Sequence, residues 1–126
     1  MKRLLVLVIS AVLLLSACGG KKVDEDIAHT YIKQAEQVVS LLNEGDTESV
    51  HGMLDDNMKK ALTNAQLQEV VGIIEDSGTF EKVDKSSVEE RDGLYVTVLG
   101  VKYSKSTRVF TITFDDQQKV AGLFIK

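Results

Sequence analysis

The chain has no proline, no tryptophan and a single cysteine, Cys18. Without a second cysteine no intramolecular disulfide can form, so any folded part must be held together by packing alone. Basic clusters are also missing, and the net charge is −4. This argues against nucleic acid as a partner, because that binding rests on neutralising phosphates with Lys and Arg. No glycine-rich loop precedes a helical pattern, so no phosphate cradle is expected. Asp55-Asp56-Asn57 lacks both the alternating spacing and the glycine of a calcium loop. Internal repeats and low-complexity stretches are absent as well.

Long hydrophobic runs are scarce, and the one present stands at the start. Lys2 and Arg3 precede an apolar run from Leu4 to Leu15 that only Ser10 interrupts, and small residues Ser16 and Ala17 lead to Cys18. This is the three-part layout of a secretory signal. As a helix, Leu4 to Ala17 would reach about 21 Å, short of a hydrocarbon core of about 30 Å. Cleavage is therefore expected in place of a permanent span.

Leu15-Ser16-Ala17-Cys18 resembles the lipobox of bacterial lipoproteins at all four positions. That resemblance implies a diacylglyceryl thioether on Cys18 and cleavage just before it, with acyl chains such as palmitate then holding the chain on the membrane. Residues 1–17 would be the signal peptide, residues 18–23 a lipidated tether, and residues 24–126 one domain. The expected address is the cell membrane, lipid-anchored, on the extracytoplasmic face. A cysteine consumed in this way leaves no thiol nucleophile to pair with histidine. Loss of Lys2 and Arg3 takes the charge from −4 to −6. A net acidic chain argues against electrostatic docking on anionic lipid, so the anchor alone is expected to hold it there.

The remaining 109 residues suit one domain with a single core. Ile27, Tyr31, Ala35, Val38 and Leu42 recur at helical spacing, flanked by Ala28, Ile32 and Val39, and predict a helix over 24–44. Gly45 stops it, and Asp46 or Thr47 caps a short second helix with Val50, Met53 and Leu54. Met58, Ala61 and Leu62 add one more apolar turn. Thr63 to Gln66 forms a capping box that opens a third helix over roughly 64–76, burying Leu67, Val70, Val71 and Ile74.

After Gly78 the period changes from 3.6 to 2. The parity break between Phe80 and Val83 predicts a bulged, charged edge strand over 79–90. Asp92-Gly93 is a two-residue hairpin turn. Leu94 to Tyr103 reads as a central strand, with Gly100 at a bend or bulge. Arg108 to Phe114 alternates, with Phe110, Ile112 and Phe114 on one face and Val109, Thr111 and Thr113 on the other. Val120 to Ile125 completes a fold of class α+β: three N-terminal helices packed on a four-stranded antiparallel sheet.

Helix order, "NEGD" at 43–46 and "FDDQQKVAGL" at 114–123 together resemble the nuclear-transport-factor-2-like superfamily. More narrowly they resemble the bacterial domain of unknown function 3887, found on lipoproteins. That likeness implies a cone, with a strongly curved sheet wrapped around helices and a pocket at the wide end. The superfamily includes isomerases and dehydratases along with non-catalytic binding members, and fold alone does not choose among them.

An isomerase of that kind needs an aspartate base and acidic donors aimed at a developing oxyanion. Tyr31, Tyr95 and Tyr103 are the candidate donors, although all three also serve as bulk with a wet tip. The aspartates fall in expected turns and caps, which disfavours the enzyme. His51, with Asp55 one turn on, is the fourth candidate and needs a further ligand before it can be a metal site; a solvated histidine and a capping aspartate explain both without function, and that reading is favoured. No cofactor and no metal are expected. The favoured reading is a non-catalytic domain that binds a small apolar ligand or an envelope protein. An isomerase- or hydratase-like enzyme and a homodimer paired through Val109, Thr111, Thr113 and Thr97 stand as alternatives.

Overall fold

The computed structural model describes residues 21–126. The lipobox and the cleavage site lie outside the described residues. The order is β1 (Lys21–Lys22), α1 (Glu25–Asn43), α2 (Thr47–Met53), α3 (Asp56–Ala61), α4 (Asn64–Asp76), β2 (Phe80–Arg91), β3 (Leu94–Tyr103), β4 (Thr107–Phe114) and β5 (Val120–Ile125). The fold is α+β, and the expected counts need two corrections. Among the described residues there are four helices, because the apolar turn at Met58 to Leu62 is a helix of its own, started by the Asp55 side chain accepting from the Met58 N–H. The sheet has five strands in the order β1-β2-β3-β4-β5.

The added strand is β1, where Lys21 pairs with Glu90 and Lys22 with Glu89. Two lysines carry no hydrophobic period, so the sequence gives no strand signal there. Opposite charges face each other across the ladder, which favours the pairing. Val23 then packs against the core and fixes the chain before α1 begins. Lys21 and Lys22, within the expected tether over 18–23, are thus paired into the sheet.

Helix ends follow the local chemistry. Gly45 takes φ 76°, the left-handed conformation that closes α1. Asp46 caps α2 by accepting from the Ser49 N–H. The capping box at α4 is complete: Gln66 N–H donates to Thr63 Oγ1 at 3.3 Å, and Thr63 N–H donates to Gln66 Oε1 at 2.9 Å. Asp92 and Gly93, at φ 54° and 81°, both adopt the positive φ that a tight two-residue hairpin requires.

The sheet is antiparallel throughout. Register shifts between Phe80 and Lys82 and between Val83 and Lys85 make β2 the bulged strand that its parity break predicts. The ladder beside Gly100 is regular on β3, so the bulge lies on the neighbouring strand. β1 covers only Glu89 and Glu90 of β2. The remaining edge is protected by those bulges and by Glu81, Lys82, Asp84 and Lys85.

Helices cover one face of the sheet. α1 buries Tyr31, Ala35, Val38, Val39 and Leu42, and packs on β2 and β3. Leu99, Val101, Phe110, Ile112, Phe114 and Val120 meet it from the strands with no exposed surface. Each large apolar side chain buried here stabilises the fold by roughly 1.5–3 kcal/mol. Thr97, expected on the outer face, belongs to this inner one and is fully buried. It shares its side with Leu99 and Val101 because strand side chains alternate.

Candidate functional site

The four candidate residues do not converge. Tyr31 and Tyr95 do meet: their rings stack with centroids 4.5 Å apart and an interplanar angle of 13°. Phe114 closes the cluster, 5.3 Å from the Tyr31 ring. The Tyr31 hydroxyl donates to the backbone carbonyl of Asp115 at 3.3 Å. Burial, then the neighbouring Tyr95, Asp115 and Asp116, hold its pKa above the ordinary tyrosine value.

Tyr103 sits at the far end of the same strand, eight residues away, or about 26 Å at 3.3 Å per residue. Its hydroxyl donates to Asn43 Oδ1 at 2.6 Å. Burial pushes its pKa up to about 12, against the opposing effects of the Asn43 hydrogen bond and the nearby Arg108 guanidinium. His51 is on α2, with Nε2 3.4 Å from the Lys59 carbonyl. Asp55 lies beyond the end of α2 and is a capping aspartate, its Oδ1 2.7 Å from Met58 N at the start of α3. No tyrosine hydroxyl among the described residues bonds a carboxylate.

The space between the two tyrosine ends is filled. Phe110, Ile112 and Phe114 are each 0 % exposed and occupy the region that a hollow cone would leave open. Concavities are therefore found at the surface. A polar cleft of about 320 Å³ is lined by Asp55, Asp56, Lys59, Asp115, Gln117 and Lys119. Two of its three carboxylates are engaged locally: Asp55 Oδ1 accepts from Met58 N at 2.7 Å, and Asp115 Oδ1 accepts from Gln117 N at 2.9 Å and Lys119 N at 2.8 Å, closing the β4–β5 turn.

A groove of about 410 Å³ runs between α1 and β2. Val39 and Val83 give it an apolar base, Phe80 forms one wall, and Glu36, Ser40 and Asn43 supply polar groups. Phe80 is 43 % exposed, yet it is oriented by an edge-on contact with the Tyr103 ring at 6.0 Å. Tyr103 is thus the candidate residue that abuts a usable site, through Phe80 on one side and Asn43 on the other. Phe80 and Asn43 were not legible as site residues. The bulge at Phe80 was the available signal, because bulges re-aim side chains.

The family model described as Protein of unknown function (DUF3887) matches residues 35–123. The chain belongs to this DUF3887 family. A solved structure described as "NMR structure of protein from Ruminococcus gnavus ATCC 29149" is similar at a TM-score of 0.70 and 19 % sequence identity. The alignment covers 83 % of this chain and 96 % of that one. At such identity the likeness speaks to the fold alone. Among curated proteins, none matches this chain. The DUF3887 match spans the groove residues from Glu36 to Val83 and leaves β1 outside it. Among the described residues no helix is long and apolar enough to cross a membrane.

Proposed function

We propose that this chain is a lipid-anchored protein of the extracytoplasmic membrane face whose domain recognises another molecule at its surface without catalysis. The filled interior carries this reading. With Phe110, Ile112 and Phe114 fully buried and Tyr31 stacked on Tyr95, recognition falls to surface features, above all the groove between α1 and β2.

The lipobox Leu15-Ser16-Ala17-Cys18 supports the anchor. Helices on one face of an antiparallel sheet support the nuclear-transport-factor-2-like likeness, in the form of its non-catalytic members. The groove fits an apolar group flanked by hydrogen-bonding atoms, as on a small lipid-like ligand or an extended segment of an envelope protein.

Intact-mass measurement of the protein extracted from its native cells in mild detergent tests both halves. The expected species begins at Cys18 and carries diacylglyceryl mass, and Cys18→Ser leaves an unmodified chain that washes from the membrane. A co-purified ligand is expected to be lost in Val83→Asp. A bare polypeptide mass removes the anchor, and a turnover abolished by Tyr95→Phe removes the non-catalytic reading.

A further inference from the structure

We propose that the outer face of the sheet rests on an anionic phospholipid surface. The chain as a whole is acidic, but its charges are segregated. Strand register and alternation put Lys22, Lys82, Lys85, Arg91, Lys102 and Lys126 on the face turned away from the helices. Lys126 shares that face with Val109, because the two residues exchange both backbone hydrogen bonds, at 3.1 and 2.9 Å. Against these six cations stand Glu89 and, at the edge, the bulge residues Glu81 and Asp84; Asp84 Oδ1 lies 3.9 Å from Lys82 Nζ. The other sixteen of the nineteen carboxylates belong to the helices, the turns and the inner side of the sheet.

Apolar side chains share this face, on β4 and on the edge strand β5. Phe124 is 64 % exposed and Val109 is 38 % exposed. A shallow depression of about 540 Å³ lies over Gly100, lined also by Lys85, Val98 and Val109. Exposed apolar side chains on the same face as lysines suit the boundary between headgroups and acyl chains.

Charge and reach favour lipid over other occupants. A second copy would bring six cations against six. From Cys18 to Lys22 is four residues, at most about 14 Å of extended chain. On the anchor reading, on which this inference rests, that span holds the face near one Debye length of the surface, about 8–10 Å at ordinary salt. The net charge of the sequence argued against such docking only because it averages the two sides of the molecule.

The test uses the mature chain from residue 18 with Cys18→Ser, mixed with phosphatidylcholine vesicles with or without phosphatidylglycerol at low salt. We expect co-sedimentation with the anionic vesicles alone, weakened about a hundredfold in Lys85→Glu/Lys102→Glu/Lys126→Glu. The chain has no tryptophan, so Phe124→Trp supplies a single emitter. Its emission should shift to the blue on anionic vesicles, whereas Gln37→Trp on the exposed side of α1 should not shift. This pair decides the matter even if the triple variant misfolds. Equal binding to both vesicles, no shift, or equal shifts from both reporters overturns the proposal. A blue-shifted emitter without lipid, together with a doubled sedimentation mass, overturns it in favour of a second copy. Because this chain carries no lipid, failure here leaves the anchor standing, while a bare native mass removes the anchor without altering the vesicle result.

Discussion

At the residue scale the informative positions are buried polar groups. Thr97 Oγ1 is buried without a hydrogen-bond partner, between Val88 on one neighbouring strand and Ile112 on the other. A hydroxyl removed from water and left unpaired costs roughly 1–3 kcal/mol. Valine has the same shape without that cost. Thr97→Val is therefore expected to stabilise by about 1 kcal/mol, raising the melting temperature by about 4–8 °C in a scanning calorimeter. Tyr103 presents the opposite case, a buried hydroxyl that is satisfied by Asn43. Its pKa is raised from 10.0 to about 12, so above pH 10 the unfolded chain loses a proton that the folded chain keeps. Its stabilising contribution is full below pH 10 and falls between pH 10 and 12, by roughly 2–3 kcal/mol. Urea titrations across that window should show the fall in the wild type and a flatter curve in Tyr103→Phe. At neutral pH that variant should also lose about 1–2 kcal/mol as Asn43 is left unpaired.

Elements were legible where chemistry is local. The Thr63–Gln66 box predicts the start of α4, and both of its reciprocal hydrogen bonds form. Thr63→Ala should cost about 1 kcal/mol, whereas Thr63→Ser should cost little, and chemical denaturation of both variants checks this. The Asp92-Gly93 turn and the alternation of Phe110, Ile112 and Phe114 were equally readable, since each is a pattern within a few residues. What escaped depends on distant partners. β1 forms because Glu89 and Glu90 lie nearly seventy positions away, a pairing that Lys21-Lys22 alone cannot announce. Thr97 was grouped with Val109, Thr111 and Thr113 as an outward pairing patch, yet the register with Val88 and Ile112 turns it in. The groove was missed for the same reason, as Asn43 and Phe80 meet only once α1 lies across β2. Of the four candidate residues, the stack of Tyr31 on Tyr95 could not be inferred, because spacing along α1 and β3 says nothing of how the two cross.

At the scale of the whole molecule, the lack of any intramolecular disulfide leaves the fold dependent on one core, with a total stability on the order of 5–15 kcal/mol for a domain of this length. Adjacent residues on β4 then become a test of both stability and function. Phe110 is fully buried and Val109 is 38 % exposed on the opposite face. Phe110→Ala should cost about 3–5 kcal/mol, because the neighbours it leaves, among them Leu99 across the ladder, cannot collapse fully into the space. Val109→Ala should cost about 0.5 kcal/mol or less. The pair discriminates between a solid domain and a vessel. If the interior were an open pocket awaiting a ligand, Phe110 would line empty space and its truncation would be mild, with added apolar compounds binding the wild type. In a packed interior the wild type ignores such compounds, while the enlarged cavity of Phe110→Ala gains stability when a small apolar molecule such as benzene is supplied. Calorimetry of both variants with and without that probe is expected to show a large loss with partial rescue for Phe110→Ala and neither for Val109→Ala. The reverse pattern would return the binding site, and with it the enzyme reading, to the inside of the domain.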